Sequence, residues 1–293
     1  MNSGAPIRIL PDTWVLTHLE DAPPLGGIFV NSAVITAEEP VVIDTGASIN
    51  RAGWIDQLGI VLDPADVRWI FITHDDADHI GNLSVLLQLC PQATVLTTWL
   101  AAGRMALQRG MVLPMERIRF INDGDTVDVG DRVLRAVLPP VFDNPTTRGV
   151  FDPITGFYWG ADCFASPVSE FVMEADDISA VQWREGFLGM QRMLSPWHTL
   201  LDHRRYAAVI DRVQRLPITA AAGAHGPVVR NSRLPDAFRM LRELPHSGAV
   251  KPFNQAEMGS LLAATPTGAL PDRRPQQSPY PTGAHVIRRP MLR

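Results

Sequence analysis

The chain has 293 residues, of which 46% are hydrophobic and 19% charged, so it can bury a large core and is neither fibrous nor disordered overall. Its formal net charge of -5 gives no general attraction to nucleic acid or to an anionic membrane surface. No run reaches the roughly 18–20 apolar residues of a membrane span, and Met1–Leu16 has no apolar signal segment. We therefore expect a cytoplasmic protein that acts on small molecules and keeps Cys90 and Cys163 reduced.

Short apolar runs bounded by turn residues predict a β-rich opening that leads into mixed α/β structure. The predicted strands are Ile7–Leu10, Thr13–Thr17, Ile28–Thr36, Val41–Asp44, Val67–Thr73, Thr94–Thr97, Ile118–Ile121, Val133–Val137, Ile154–Trp159 and Ile218–Ala222. The predicted helices are Arg51–Leu58, Ile80–Leu89, Ala101–Arg109, Val181–Leu194 and Tyr206–Arg215. We expect the first four strands to form an antiparallel meander.

The composition changes near the end of the sequence, where Thr265–Arg293 combines repeated prolines with two glutamines and basic residues. Such a segment is typical of extended or flexible chain. The sequence thus predicts one main domain over residues 1–264 and a Pro-rich, flexible tail over residues 265–293.

The densest group of metal-ligating side chains directly follows the predicted strand that ends at Thr73. We name the segment His74-Asp75-Asp76-Ala77-Asp78-His79 the ligand loop. A solvated acidic turn would explain its aspartates but not two histidines next to a buried strand. We interpret the ligand loop as a metal site at the edge of a sheet.

Three later residues, Asp143, Asp162 and His225, have ordinary structural explanations when their local sequence is considered alone. Asp162 follows the strand that ends at Trp159, and His225 follows the strand that ends at Ala222. Taken singly, such an aspartate usually caps a helix and such a histidine usually lies satisfied in a core. Asp143 precedes Asn144-Pro145, and aspartate and asparagine before a proline are favoured in turns.

The segment Thr73–Gly81 resembles the metallo-β-lactamase superfamily, whose usual loop is Thr-His-x-His-x-Asp-His. Asp76 stands where that loop has its second histidine, and an acid there is similar to the oxygen-binding di-iron domain of flavodiiron proteins. The resemblance runs from about Asp12 to Leu244. It implies an α/β (α+β) fold of the metallo-β-lactamase αββα type with two metal ions per chain.

The resemblance also divides the candidate ligands between the two ions. The first set is His74, Asp76, Asp143 and Asp162. The second set is Asp78, His79, His225 and the shared Asp162. The family usually has a histidine at the place of Asp143, so a ligand role and a turn role both stay open for this residue, and the family does not always use His79. Asp44 is expected to orient the ligand loop through hydrogen bonds.

The carboxylates in this set bear on the chemistry. Four aspartates offset the charge of two divalent cations, which opposes the lowering of the pKa of bound water that hydrolysis needs. Oxygen and imidazole ligands favour iron or manganese, with zinc as an alternative. We predict a non-haem di-iron protein that binds, senses or reduces oxygen or a related small oxidant, with no catalytic residue beyond the metal ligands.

Two other functions stay open at this point. A metal-dependent hydrolase of an ester, lactone, thioester or phosphoester would use a hydroxide between the same metal ions. A non-catalytic sensor with a degenerate metal site would follow from a loss of ligands such as Asp143. About fifty residues follow Leu244, so we expect no FMN domain in this chain and a separate redox partner. The resemblance also allows a homodimer.

Overall fold

Two β-sheets face each other at the centre of the protein. The computed structural model describes residues 2–252 and 254–264. The described strands are β1 (Asn2–Ser3), β2 (Ile7–Leu10), β3 (Thr13–Leu16), β4 (His18–Asp21), β5 (Gly27–Phe29), β6 (Ser32–Ile35), β7 (Val41–Ile43), β8 (Trp69–Phe71), β9 (Thr94–Thr97), β10 (Ile118–Phe120), β11 (Thr126–Asp128), β12 (Val133–Val137), β13 (Gly149–Asp152), β14 (Phe157–Trp159), β15 (Ala220–Ala222) and β16 (Val229–Arg230).

The described helices are α1 (Arg51–Val61), α2 (Ala77–Ile80), α3 (Leu83–Leu89), α4 (Trp99–Arg109), α5 (Ala180–Leu194), α6 (His203–Gln214), α7 (Arg233–Glu243) and α8 (Gln255–Ala264). None of them is long and apolar enough to cross a membrane. The chain divides into a compact unit over Met1–Pro252 and a second unit that begins at Phe253 and contains α8. The predicted tail over residues 265–293 lies outside the described residues, and the boundary at residue 264 stays a prediction.

The first sheet has the strand order β10-β9-β8-β7-β6-β3-β2. Strands β7 to β10 run parallel to one another, whereas β2, β3, β6 and β7 pair in antiparallel fashion, as the meander prediction requires. The second sheet has the order β11-β12-β13-β14-β15-β16 and is antiparallel except for the parallel pair β14–β15. A small antiparallel sheet joins β1, β4 and β5.

Side chains alternate between two apolar layers along the central strands. Ile43 and Trp159 lie in the core between the sheets, whereas Val42 packs under α1 and α3 and Tyr158 packs under α5, α6 and α7. Successive residues of a strand point to opposite faces, so a strand that is covered on both faces must be apolar throughout. The layers are therefore helix, sheet, sheet and helix. This order confirms the predicted αββα sandwich.

The structure corrects several predicted elements. The expected strand Ile28–Thr36 is two strands, β5 and β6, which belong to different sheets. Asn31 lies between them, and its side chain donates hydrogen bonds to Gly223 O and Gly226 O. The expected helix Ile80–Leu89 is split between α2 and α3. The sequence did not predict α7, whose Pro235 lies in the first turn, where a missing N–H removes no helical hydrogen bond. Strands β4, β11, β13 and β16 were also missed.

Candidate metal centre

The ligand loop begins after β8 and ends inside α2, so Asp78 and His79 are helical rather than in a loop that precedes a helix. Gly81 follows α2 and packs backbone to backbone against the segment after β7. A Cβ at Gly81 would lie 2.3 Å from Ser48 N and 2.6 Å from Gly46 O, so no larger residue fits. This contact fixes where α2 ends and therefore where His79 stands.

Asp44 directly follows β7 and contacts the ligand loop and the residue before it through hydrogen bonds. It is fully buried and accepts hydrogen bonds from Thr73 N at 2.9 Å and from Trp159 Nε1 at 3.1 Å. His79 Nδ1 lies 3.0 Å from Asp44 Oδ2, and a carboxylate acceptor keeps the hydrogen on Nδ1. His79 Nε2 is thereby left for the centre, which confirms the orienting role expected for Asp44.

Asp162 lies in a strained loop immediately after β14. Ala161, directly before it, and Phe164, two residues after it, have φ angles of 55° and 73°, in the region that L residues rarely adopt. Such strain often accompanies functional sites. The loop is pressed against the chain after β15, where a Cβ at Gly223 would lie 2.4 Å from Ala161 O.

His225 lies in the chain after β15, two residues beyond Gly223. Its Nδ1 lies 2.8 Å from Phe29 O, and its own carbonyl accepts a hydrogen bond from Ser166 N at 3.0 Å. As with His79, one ring nitrogen is occupied by an acceptor. His225 Nε2 is therefore free to face Asp162.

The carboxylate of Asp162 stands between three imidazoles. Its Oδ2 lies 3.2 Å from His74 Nε2, while its Oδ1 lies 3.1 Å from His79 Nε2 and 3.2 Å from His225 Nε2. Each oxygen of Asp162 thus faces a different group of ligands.

The predicted ligands form three overlapping groups of three residues. In each group the donor atoms lie within 4.8 Å of one another. The Asp143 half consists of His74, Asp76 and Asp143, together with Asp162 Oδ2. The His225 half consists of Asp78, His79 and His225, together with Asp162 Oδ1. The third group, His74, His79 and Asp162, contains members of both halves. The structure therefore brings all seven residues together, and their division between two ions and their binding of metal stay predictions.

Comparison with known proteins places this arrangement in a family. The model of the ODP family beta lactamase matches residues 29–226. The chain belongs to this family. Among curated proteins it is similar to diflavin flavoprotein A 1 of Synechocystis sp., with 26% identity over 208 residues, which is 70% of this chain and 35% of that protein. It is also similar to the nitric oxide reductase of Moorella thermoacetica, with 22% identity, 70% of this chain and 50% of that protein.

Solved structures agree with this family at the level of the fold. The rubredoxin oxygen:oxidoreductase from Desulfovibrio gigas aligns with a TM-score of 0.72 and 16% identity over 81% of this chain and 61% of that one. The flavodiiron protein from Giardia intestinalis aligns with a TM-score of 0.74 and 16% identity over 84% of this chain and 60% of that one. The predicted resemblance to flavodiiron metal domains is confirmed. The chain spans about a third to a half of the length of these curated relatives.

Two buried polar atoms at the middle of the centre indicate that it fits metal ions. His79 Nε2 and Asp162 Oδ1 lack any hydrogen-bond partner of suitable geometry among the described residues. Such buried atoms are costly unless something binds them. Donor atoms bound at about 2.1 Å and at right angles to a common ion lie about 3 Å apart, close to the 3.1 Å and 3.2 Å separations around Asp162.

The electrostatics of the centre also favour bound cations. Burial opposes charge on Asp162, but His74 and His79 hold its pKa well below the usual value. Burial likewise opposes charge on His225, but the adjacent carboxylates of Asp162 and Asp78 raise its pKa to about 10. The negative charge of the aspartates therefore requires compensation in the interior. Metal ions bound to the same nitrogen and oxygen atoms would supply it.

Asp143 and its neighbour Asn144 have different roles in their loop. The turn is made by Asn144, whose Oδ1 accepts a hydrogen bond from Thr146 N at 2.9 Å. The Asp143 carboxyl instead belongs to the group with His74 and Asp76, although the residue is exposed. Partial desolvation of its carboxyl and the charge of Asp162 raise the pKa of Asp143 to about 6. The turn that the sequence offered as an explanation of Asp143 is thus formed by the next residue.

Sequence reasoning missed a group of side chains behind the Asp143 half. Asp75 is fully buried and accepts hydrogen bonds from Arg104 Nε at 2.8 Å and Thr146 Oγ1 at 3.1 Å. Asn144 Nδ2 lies 3.2 Å from Asp75 Oδ1 and 3.1 Å from Asp76 Oδ1, so it joins the two loops. These partners come from distant parts of the sequence, so no local pattern predicts their contacts. Among the described residues, His18, His198, His203 and His246 belong to neither half, as expected.

Proposed function

We propose that this chain is a dinuclear non-haem iron protein that binds, senses or reduces oxygen or a related small oxidant. The observation that carries the proposal is the position of Asp162, which offers one carboxylate oxygen to each half of the centre. Asp76, in place of a histidine, adds negative charge that favours a higher oxidation state over hydrolysis. The names of two similar proteins, a nitric oxide reductase and a rubredoxin oxygen:oxidoreductase, support the same class of chemistry.

In this proposal His74, Asp76, Asp143 and Asp162 hold one ion, and Asp78, His79, His225 and Asp162 hold the other. When bound, the iron pair supplies redox chemistry and a place for a small oxidant to bind. The side chains of Asp76 and Asp78 are each 35% exposed, whereas those of His74 and His79 are each 1% exposed. The two carboxylates therefore form the solvent-facing side of the centre, which a small molecule reaches first. The two histidines form its buried side.

The extent of the domain, the electron donor and the oligomeric state are part of the same proposal. In this proposal the dimetal domain lies within residues 1–264. We propose that a redox partner delivers electrons to the centre. The family model covers residues 29–226, the part of the chain that contains the predicted ligands. We propose a cytoplasmic protein that forms homodimers.

The proposal is tested by anaerobic loading with ferrous iron followed by exposure to oxygen. We expect oxygen consumption and a change in the iron absorption spectrum. His225→Ala should abolish both, while His203→Ala, a matched change at an exposed histidine outside the centre, should leave them intact. A loaded protein that neither consumes oxygen nor changes its spectrum would contradict the proposal. Turnover of esters by a zinc-loaded protein with inert iron would instead favour the hydrolase.

A further inference from the structure

The two halves of the centre differ in their donor atoms. The Asp143 half combines one imidazole nitrogen, from His74, with the carboxylates of Asp76, Asp143 and Asp162. The His225 half combines two imidazole nitrogens with the carboxylates of Asp78 and Asp162. One half is therefore dominated by oxygen, whereas the other balances nitrogen and oxygen.

The halves differ in charge as well. Apart from the shared Asp162, the Asp143 half contains two carboxylates and the His225 half contains one. Arg109 Nη2 lies 3.4 Å from Asp76 Oδ1, but both side chains are 35% exposed, so water weakens this contact. The excess negative charge of the Asp143 half therefore remains.

The oxygen donors of the Asp143 half are held in place. Asn144 donates to Asp75 and Asp76, and its Oδ1 accepts from the N–H of Thr146. These bonds tie the loop that carries Asp143 to the ligand loop. Because the backbone of Asn144 is fixed, the preceding residue keeps its carboxyl beside His74 and Asp76.

Resting on the proposed dimetal function, we propose that the two halves select different metal ions. Carboxylate donors suit manganese, and imidazole donors suit iron. Iron(II) binds more tightly than manganese(II) to most sites of this kind, so the expected difference lies in the ratio of the two ions. The Asp143 half takes manganese relative to iron more readily than the His225 half. With manganese in excess, the centre assembles as a mixed pair with manganese beside Asp143 and iron beside His225.

The test is anomalous diffraction from the full chain, loaded without oxygen in a mixture of manganese(II) and iron(II). Data on both sides of the manganese and iron absorption edges give the occupancy of each metal in each half. We expect the manganese-to-iron ratio to be about tenfold higher in the Asp143 half, the lower end of what altered partners do to metal affinity. Equal ratios in two occupied halves would overturn this inference and leave the proposed function intact. Absence of metal from both halves would overturn both.

A variant makes the test specific to Asp143. Asp143→His replaces an oxygen donor with nitrogen and should lower the ratio in the Asp143 half to that of the His225 half, whose own ratio should not change. Asp56→Asn, which alters an exposed carboxylate on α1, is the control and should leave both ratios as they are. An unchanged ratio in a folded Asp143→His protein that binds two ions would contradict the inference.

Discussion

The centre has an inner wall and an outer rim that are built by different means. The inner wall consists of His74, His79, Asp162 and His225, and its members are buried and fixed largely by the backbone or by Asp44. The outer rim consists of Asp76, Asp78 and Asp143, which reach solvent. In the rim, Asp76 and the loop of Asp143 are held by Asn144. We infer that the inner wall decides whether metal binds at all, and that the rim sets the charge and selectivity of the centre.

The largest effect is expected from the member of the inner wall that both halves share. Asp162→Asn keeps the size of the side chain but removes the charge that faces three imidazoles. Metal affinity should fall by about 100-fold or more in both halves, because Asp162 is a predicted ligand in both. Metal content after dialysis measures this loss, and Asp56→Asn is the matched control. Retention of two ions by Asp162→Asn would remove the distinction between wall and rim.

Asp44→Asn tests the support of the inner wall. Three donors and His79 surround the Asp44 carboxylate, and an amide turns one of its two acceptor oxygens into a donor. The free energy of unfolding should fall by about 1–3 kcal/mol. Metal affinity of the His225 half should fall by about 10–100-fold, because His79 loses its orienting acceptor. Denaturant titration and metal competition measure the two effects, and normal metal affinity would show that His79 needs no such partner.

Gly223→Ala tests the contact between the Asp162 loop and the chain before His225. The new Cβ would meet Ala161 O at 2.4 Å and Cys163 O at 2.7 Å, both of them backbone atoms. We expect a loss of about 1–3 kcal/mol in the free energy of unfolding, since the loops must separate. Gly59→Ala is the matched control, because no atom lies within 4 Å of its Cβ position in helix α1. It should stabilise the protein by roughly 0.5–1 kcal/mol, and equal effects of the two changes would contradict the tight contact.

The smallest effect is expected at the rim. Asn144→Ala removes the hydrogen bonds to Asp75 and Asp76 but none of the predicted ligands. Affinity of the Asp143 half should fall by about tenfold, with the His225 half unchanged, while stability falls by about 1 kcal/mol. Competition with a metal-binding dye resolves the weaker half, and Asn122→Ala at an exposed turn is the control. A change in the His225 half would show that the two halves are not separately supported.

Much of the fold and of the site follows from local sequence. The strands around Val42 and Tyr158 are short and continuously apolar because both faces are covered, and such runs are visible in the sequence. The ligand loop was recognisable because it concentrates histidine and aspartate after a strand. Asp162 and His225 became candidate ligands through the resemblance to flavodiiron metal domains, whose order of ligands they match.

The remainder depends on contacts between distant segments. Asp44 meets Trp159 across 115 positions of sequence, and Asp75 meets Arg104 across 29. The break after α2 arises because Gly81 packs against Gly46 and Asn82 donates to Thr45 O, which apolar periodicity does not reveal. Likewise, the sequence leaves a turn role and a ligand role open for Asp143. Aspartate and asparagine both favour turns, and only the hydrogen bonds of the folded chain show that Asn144 makes this one.

We propose that the two groups of ligands would hold a pair of iron ions and would share Asp162. The most direct measurement is iron analysis of protein loaded anaerobically with ⁵⁷Fe, followed by Mössbauer spectroscopy after oxidation. We predict two irons per chain whose ferric spins couple to a diamagnetic ground state. One iron per chain or less, or two irons that remain magnetically independent, would contradict the account.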